Sequence, residues 1–184
     1  MAVISKGMSR PNTDELFGKD FINTIEKKIT SADEVRKEYS INKFPVDVEA
    51  LLTQLNISIE KRKLDNDISG MLLSQNDRYI IVVEERHPLN RQRFTIAHEI
   101  AHYFLHKNLK EKFEDNVFFR GYSSDSLEFQ ANNFASDLLM PKTVFIEKIK
   151  NGMNQIEDLA KFFGVSTLAI RVRAKQLNLT GHGL

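Results

Sequence analysis

Residues 93–106 read RFTIAHEIAHYFLH and contain two histidines four positions apart, His98 and His102, with Glu99 directly after the first. On an α-helix, residues four apart lie on one face about one turn apart, so both imidazoles can reach a single metal ion. Glu99 points about 100° further around the helix, where it can still reach a water molecule beside such an ion. Imidazole suits zinc, and a nearby carboxylate can accept a proton from water, so the stretch predicts a catalytic zinc helix.

Apolar residues surround most of this predicted helix, which places it in the interior of the protein. They are Phe94, Ile96, Ala97, Ile100, Ala101, Phe104 and Leu105. Two histidines and a glutamate inside such a helix need polar partners, and a metal ion is the natural one. The alternative is that other polar groups of the core satisfy these side chains without any metal.

A catalytic zinc needs a third protein ligand and an open fourth position. His106 has suitable chemistry, but it lies two turns beyond His98, so one helix cannot easily bring all three histidines to one ion. A glutamate from a following helix fits better, and Glu128 stands near the start of such a helix, 26 residues after His102. Its alternative role is that of a surface carboxylate favoured by the helix dipole. Asn132 follows Glu128 by one turn and is placed to hydrogen-bond the outer ring nitrogen of a ligand histidine.

The composition bounds the class of protein around this helix. A length of 184 residues predicts one compact domain. The net charge of +1 argues against electrostatic binding of nucleic acid or anionic lipid by the chain as a whole. The absence of cysteine excludes disulfide scaffolds, thiol catalysis and Cys-based zinc sites. The first residues lack a signal peptide, and the longest apolar run, Tyr79–Val83, is far shorter than the roughly 20 residues of a membrane span. We therefore expect a cytoplasmic protein.

The spacing of apolar residues predicts an α+β fold, with a small three-stranded sheet packed on a mainly helical domain. Predicted helices cover 14–29, a stretch from Ser31 to before Pro45, 46–55, 91–107, 126–140, 142–150, 155–163 and 166–177. Strands are predicted near Ile57 and over Met71–Ser74 and Tyr79–Glu84, with Tyr79–Glu84 as an edge strand that could bind a substrate. We expect an N-terminal helical extension over 1–40, a core over 41–150 and, over 151–184, two helices that resemble a helix-turn-helix and pack on the core.

Five segments of the chain carry a more specific signal. They read FPVDVEALLTQLNISIE (44–60), ISGMLL (68–73), HPLNRQRFTIAHEIAHYFLH (87–106), EFQANNFASDLLMP (128–141) and LAKFFGVSTLAIRVRAKQLNL (159–179). Together they resemble the ImmA/IrrE family of cytoplasmic metallopeptidases. The resemblance implies a zincin-like core over 41–150, similar to that of the gluzincins, with one Zn²⁺ per chain. It implies His98, His102 and Glu128 as zinc ligands and Glu99 as general base. Gln130 stands where many members carry a second acid, which removes the rival ligand in that segment.

The resemblance also implies an activity, that of a peptide-bond hydrolase acting on a regulatory protein. The best-studied members cleave a helix-turn-helix transcriptional repressor, and others resemble the toxin half of a two-component pair. The alternative is a non-proteolytic antirepressor or toxin-type protein that acts by protein–protein contact. A third reading is a DNA-binding regulator. It is not favoured, because Lys142–Lys175 holds only seven basic against three acidic residues.

Polar residues around the predicted zinc helix leave further roles open. A second donor to the developing oxyanion is usual in such a reaction. The candidates are Tyr103, His106 and Tyr122, each with a structural role as the alternative. Arg91 and Arg93 either reach a substrate carboxylate or, as we expect, form an ion pair with an acidic residue. The acids considered are Glu84, Glu85 and Asp137.

Overall fold

The computed structural model describes residues 28–65, 68–76, 78–107 and 124–179, and over these ranges it confirms the α+β class. The helices are α1 (Ala32–Glu38), α2 (Val48–Gln54), α3 (Leu89–His106), α4 (Ser124–Leu139), α5 (Lys142–Lys150), α6 (Ile156–Phe163) and α7 (Thr167–Gln176). The strands are β1 (Ile57–Arg62), β2 (Gly70–Gln75) and β3 (Arg78–Glu84). The helix predicted over 14–29 lies almost entirely outside the described residues.

Side-chain caps determine where the first two described helices begin. The Ser31 hydroxyl accepts a hydrogen bond from the Glu34 N–H, and the Glu34 carboxylate accepts one from the Ser31 N–H, and together the two bonds form a capping box. Asp47 accepts a hydrogen bond from the Ala50 N–H and so begins α2 two residues after Pro45. Both starts are therefore encoded within a few residues of sequence.

The three strands form one mixed sheet in the order β1-β3-β2. β3 pairs in parallel with β1, with Ile57 opposite Tyr79, and antiparallel with β2, with Leu72 opposite Ile81. The prediction that Tyr79–Glu84 is an edge strand is therefore wrong. The second half of β3 is buried on both faces, and such a continuous apolar run suits the centre of a sheet. Of the two edge strands, β2 is the one that packs against α3.

One hydrophobic cluster extends from α1 to α7 and includes described residues of all three predicted segments. The division of the chain into three segments, with boundaries at residues 40 and 150, stays a prediction. α3 packs against α4 and against both β2 and β3, so the helix with the candidate ligands is central, as predicted. Its residues Ile96 and Ile100 are fully buried. Among the described residues, no helix combines the length and the apolar character that crossing a membrane requires.

The last two helices are attached to α4 through a buried arginine. α6 ends at Gly164, whose φ of 65° lies in the left-handed region that favours glycine. Arg173 on α7 is buried, and it donates to the Met140 carbonyl and to the Asp137 carboxylate. Arg36 from α1 donates to the Asp137 carbonyl. Two guanidinium groups therefore bind the C-terminal end of α4, where the helix dipole favours positive charge.

Candidate metal centre

α3 presents His98 and His102 on one face, and α4 presents Glu128 opposite them. The Nε2 atoms of the two rings are 2.9 Å apart. Glu128 Oε2 lies 3.1 Å from Nε2 of His98, and its Oε1 lies 3.4 Å from Nε2 of His102. One potential ligand atom from each residue lies within 4.8 Å of the others. Two imidazole nitrogens and one carboxylate oxygen form a donor set that zinc takes in sites with an open position, so the three residues fit one metal ion.

The outer nitrogen of each histidine has a side-chain partner. Nδ1 of His98 lies 3.1 Å from Oδ1 of Asn132, so the proton of this ring sits on Nδ1 and Nε2 is left bare. Asn132 therefore occupies the outer position that the sequence predicts for it. Nδ1 of His102 lies 2.9 Å from Nδ1 of His106, which the sequence does not predict. Partners of this kind orient ligand rings.

Glu99 lies where α3 meets β2, and its exposed fraction is 6%. Its carboxylate accepts a hydrogen bond from the backbone N–H of Leu72. Burial and, next, the negative charge of Glu128 raise the pKa of Glu99 to about 8, against the effect of the Leu72 hydrogen bond. A carboxyl group whose pKa lies near neutral pH can both accept and return a proton.

Burial lowers the pKa of all three histidines. The pKa of His102 falls to about 3 because of burial and then the charges of His98 and His106. For His98, the effect of burial exceeds the opposing effects of the Glu128 charge and of the Asn132 hydrogen bond. For His106, burial again dominates and a side-chain hydrogen bond with Gln130 opposes it. The rings are therefore neutral near pH 7, which is the form that binds metal.

β2 packs closely against α3 at Gly70. A Cβ atom at this position would lie 2.4 Å from Cγ2 of Thr95, 2.9 Å from the Val82 carbonyl oxygen and 3.7 Å from Oε1 of Glu99. Only glycine permits this approach, because real Cβ atoms do not make contacts shorter than about 3.0 Å. Gly70 is not among the residues predicted for the site, although a glycine within a strand pattern can signal a close backbone approach.

The structure places two of the three oxyanion candidates, while Tyr122 lies outside the described residues. His106 lies behind His102, on the side of that ring opposite to the convergent Nε2 atoms. The Tyr103 ring packs edge-on against Tyr79 with centroids 4.9 Å apart, and Nζ of Lys107 lies 4.3 Å from the Tyr103 centroid. An oxyanion role stays a prediction for Tyr103, His106 and Tyr122.

The two arginines before the ligand histidines bind neutral oxygen atoms. Arg93 donates to two backbone carbonyls, one before α2 and one in the turn before α7, and Arg91 donates to the hydroxyl of Ser69. Within the described part of the chain, neither arginine forms the ion pair predicted with Glu84, Glu85 or Asp137, so that prediction is wrong. Glu84 pairs with Arg86 and Asp137 pairs with Arg173. By donating to these carbonyls, the Arg93 guanidinium holds the segments before α2 and before α7 against α3. It needs no carboxylate partner for this role.

Comparison with known proteins decides the family. A family profile described as the IrrE N-terminal-like domain matches residues 52–175, a range that contains every residue of the candidate centre. The chain belongs to the ImmA/IrrE family of metallopeptidases. The chain is also similar to two curated proteins. Metallopeptidase ImmA of Bacillus subtilis (strain 168) is 34% identical over 121 residues, which cover 62% of this chain and 69% of the relative. Uncharacterized immunity region protein 2 of Bacillus phage phi105 is 29% identical over 117 residues, which cover 62% of this chain and 71% of that protein.

Proposed function

We propose that this metallopeptidase is a zinc-dependent endopeptidase that cleaves a regulatory protein. Glu99 carries the proposal: it is a buried carboxyl beside three side chains that can hold one ion. A purely structural metal site has no use for such a base, because it has no proton to move. Membership of a metallopeptidase family supports the same reading.

His98, His102 and Glu128 would hold the ion, and Glu99 would move the proton. When bound, zinc supplies Lewis acidity and lowers the pKa of water to about 7. The Glu99 carboxylate accepts a proton from the water that attacks the scissile carbonyl and then gives it to the nitrogen of the leaving amine. The Leu72 N–H orients this carboxylate, and Asn132 keeps the His98 ring in the form that leaves Nε2 bare.

β2 is the part of the sheet that we propose binds the substrate. It is an edge strand, it packs against α3, and the Leu72 N–H in it reaches Glu99. An extended peptide adds to such an edge through main-chain hydrogen bonds, which would bring its carbonyls past the candidate centre. This assignment replaces the one expected for Tyr79–Glu84, which is the central strand.

The proposed substrate class is a helix-turn-helix transcriptional repressor. One relative is named a metallopeptidase and the other is named an immunity region protein of a phage. These names support a substrate that controls phage immunity genes. Direct contact with DNA is not part of the proposal, since the net charge of the chain is only +1. A protein that acts by contact alone, without proteolysis, is the competing function.

A search for new protein N-termini in cells tests this function. Cells expressing the wild type are compared with cells expressing Glu99→Gln and, as a matched control, Glu157→Gln, which changes an exposed glutamate on α6. We expect at least one new N-terminus with the wild type and the control, and none with Glu99→Gln. Zinc content measured on the purified variants shows that the loss does not come from an empty site. A regulatory effect that survives Glu99→Gln without any new N-terminus would support the contact mechanism instead.

A further inference from the structure

His106 is a buried histidine that the proposed reaction does not use. Its exposed fraction is 3%, and it follows His102 by one turn on α3. The two Nδ1 atoms are 2.9 Å apart, with ring centroids 5.0 Å apart and an interplanar angle of 53°. Where no metal ion would lie between them, two ring nitrogens at this distance share one proton, because two bare nitrogens or two N–H groups would repel each other.

The direction of this hydrogen bond follows from where the ligand atoms lie. Nε2 of His102 is the atom that faces Nε2 of His98 and the Glu128 carboxylate, so it must be bare to bind an ion. The proton of the neutral His102 ring then sits on Nδ1 and is donated to Nδ1 of His106. His106 must in turn carry its own proton on Nε2.

We propose that His106 is a positioning residue that holds the ring orientation and the tautomer of His102. Asn132 has the equivalent relationship to His98, at 3.1 Å and from α4. The two ligand rings would thus be oriented from different elements, one by an amide oxygen and the other by an imidazole. This inference rests on the metal site of the proposed function, and it needs no peptide cleavage.

Zinc affinity tests the inference, measured by competition with a chelator in Glu99→Gln protein so that cleavage plays no part. We expect His106→Leu to weaken zinc binding by about 10- to 100-fold, the usual effect of losing such a partner. His106→Gln should keep an affinity close to that of the parent, because its amide oxygen can accept the proton from Nδ1 of His102. His87→Gln removes a histidine outside the centre and should change nothing.

The tautomer of His106 gives a second readout that does not depend on a substitution at that position. Nitrogen-15 NMR of the zinc-loaded Glu99→Gln protein should show His106 protonated at Nε2 and bare at Nδ1. A proton on Nδ1 of His106 would overturn the inference, even if His106→Leu failed to fold.

The outcomes separate this inference from the proposed function. If the parent binds zinc and His106→Leu binds it equally well, the inference fails while the metal site stands. Equal weakening by His106→Leu and His106→Gln would also overturn it, since only the shape of the side chain would then matter. A parent that binds no zinc contradicts the proposed zinc site and the inference together.

Discussion

The backbone N–H of Leu72 in β2 donates a hydrogen bond to the carboxylate of Glu99 in α3. The edge of the sheet and the central helix therefore meet at the side chain that we propose moves the proton. This contact and the nearby glycine connect the stability of the fold to the chemistry of the site, and both can be tested by substitution.

The stability of the metal-free protein should depend on pH through Glu99. Its pKa is raised in the folded state to about 8, so between about pH 5 and 8 the folded protein binds a proton here that the unfolded chain has released. The contribution of Glu99 is thus present at low pH and lost as pH rises, at up to about 1.4 kcal/mol per pH unit. Denaturant unfolding after chelator treatment should show the wild type losing stability relative to Glu99→Gln across this window. The histidines are common to both proteins, so a constant difference would contradict the prediction.

Gly70→Ala should destabilise the protein and lower its activity. The added methyl would collide with Thr95 Cγ2 and with the Val82 carbonyl, and overpacking of this kind costs about 1–3 kcal/mol. Thr95→Ser removes Cγ2. The double variant Gly70→Ala/Thr95→Ser should therefore recover the stability lost through the Thr95 collision, but not the stability lost through the Val82 carbonyl. A double-mutant cycle of unfolding free energies measures this coupling. Strict additivity of Gly70→Ala and Thr95→Ser would show that the two positions do not collide.

Asn132→Ala should weaken zinc binding by about 10- to 100-fold, because the His98 ring loses the acceptor that fixes its orientation. The matched control is Asn133→Ala, the adjacent residue, whose Oδ1 accepts a hydrogen bond from Gln176 and does not face the centre. Chelator competition on the two variants gives the comparison. Equal affinities would mean that Asn132 has no role in holding the ligand ring.

Arg173→Met should lower the free energy of unfolding by about 1–3 kcal/mol, since it leaves the buried Met140 carbonyl without its donor. Arg171→Met changes an exposed arginine on the same helix and should stay within about 0.5 kcal/mol of the wild type. Urea unfolding of both variants tests this. Similar losses of unfolding free energy in both variants would mean that the effect comes from removing a positive charge rather than from losing the contact with α4.

Much of the helical part of the fold could be predicted from the sequence, because its signals are local. Periodic apolar residues, the capping box at Ser31 and the proline at 141 lie within or beside the helices they define, and α5 has the predicted bounds, Lys142–Lys150. The strand order could not be predicted in the same way. Whether Tyr79–Glu84 is central or at an edge depends on contacts with strands elsewhere in the chain, which a run of apolar residues does not specify.

The candidate metal centre likewise has features that could be predicted from local spacing and features that could not. The spacing of His98 and His102 predicts a shared ion, because residues four apart lie on one face of a helix. For Glu128, on another helix, spacing alone leaves a surface role equally open, and only the family resemblance makes it a ligand. The structure brings the three side chains together. The hydrogen bond between His102 and His106 could not be predicted, because it depends on the rotamers of the two rings. The collision that excludes a side chain at Gly70 depends on how closely two separate elements pack, and a glycine in a strand pattern can signal a close approach without identifying the atoms it would meet.

The position of Glu128 has a consequence for the lifetime of the protein. Glu128 and His102 are 26 positions apart in the sequence, yet Oε1 of one lies 3.4 Å from Nε2 of the other. A bound ion would therefore cross-link α3 to α4 and, at a hundredfold excess over its Kd, would stabilise the folded state by about 2.7 kcal/mol. Arg36 and Arg173 already bind the other end of α4. Without the ion this stabilisation is lost, and proteolysis of the transiently unfolded chain should be faster than in the loaded protein.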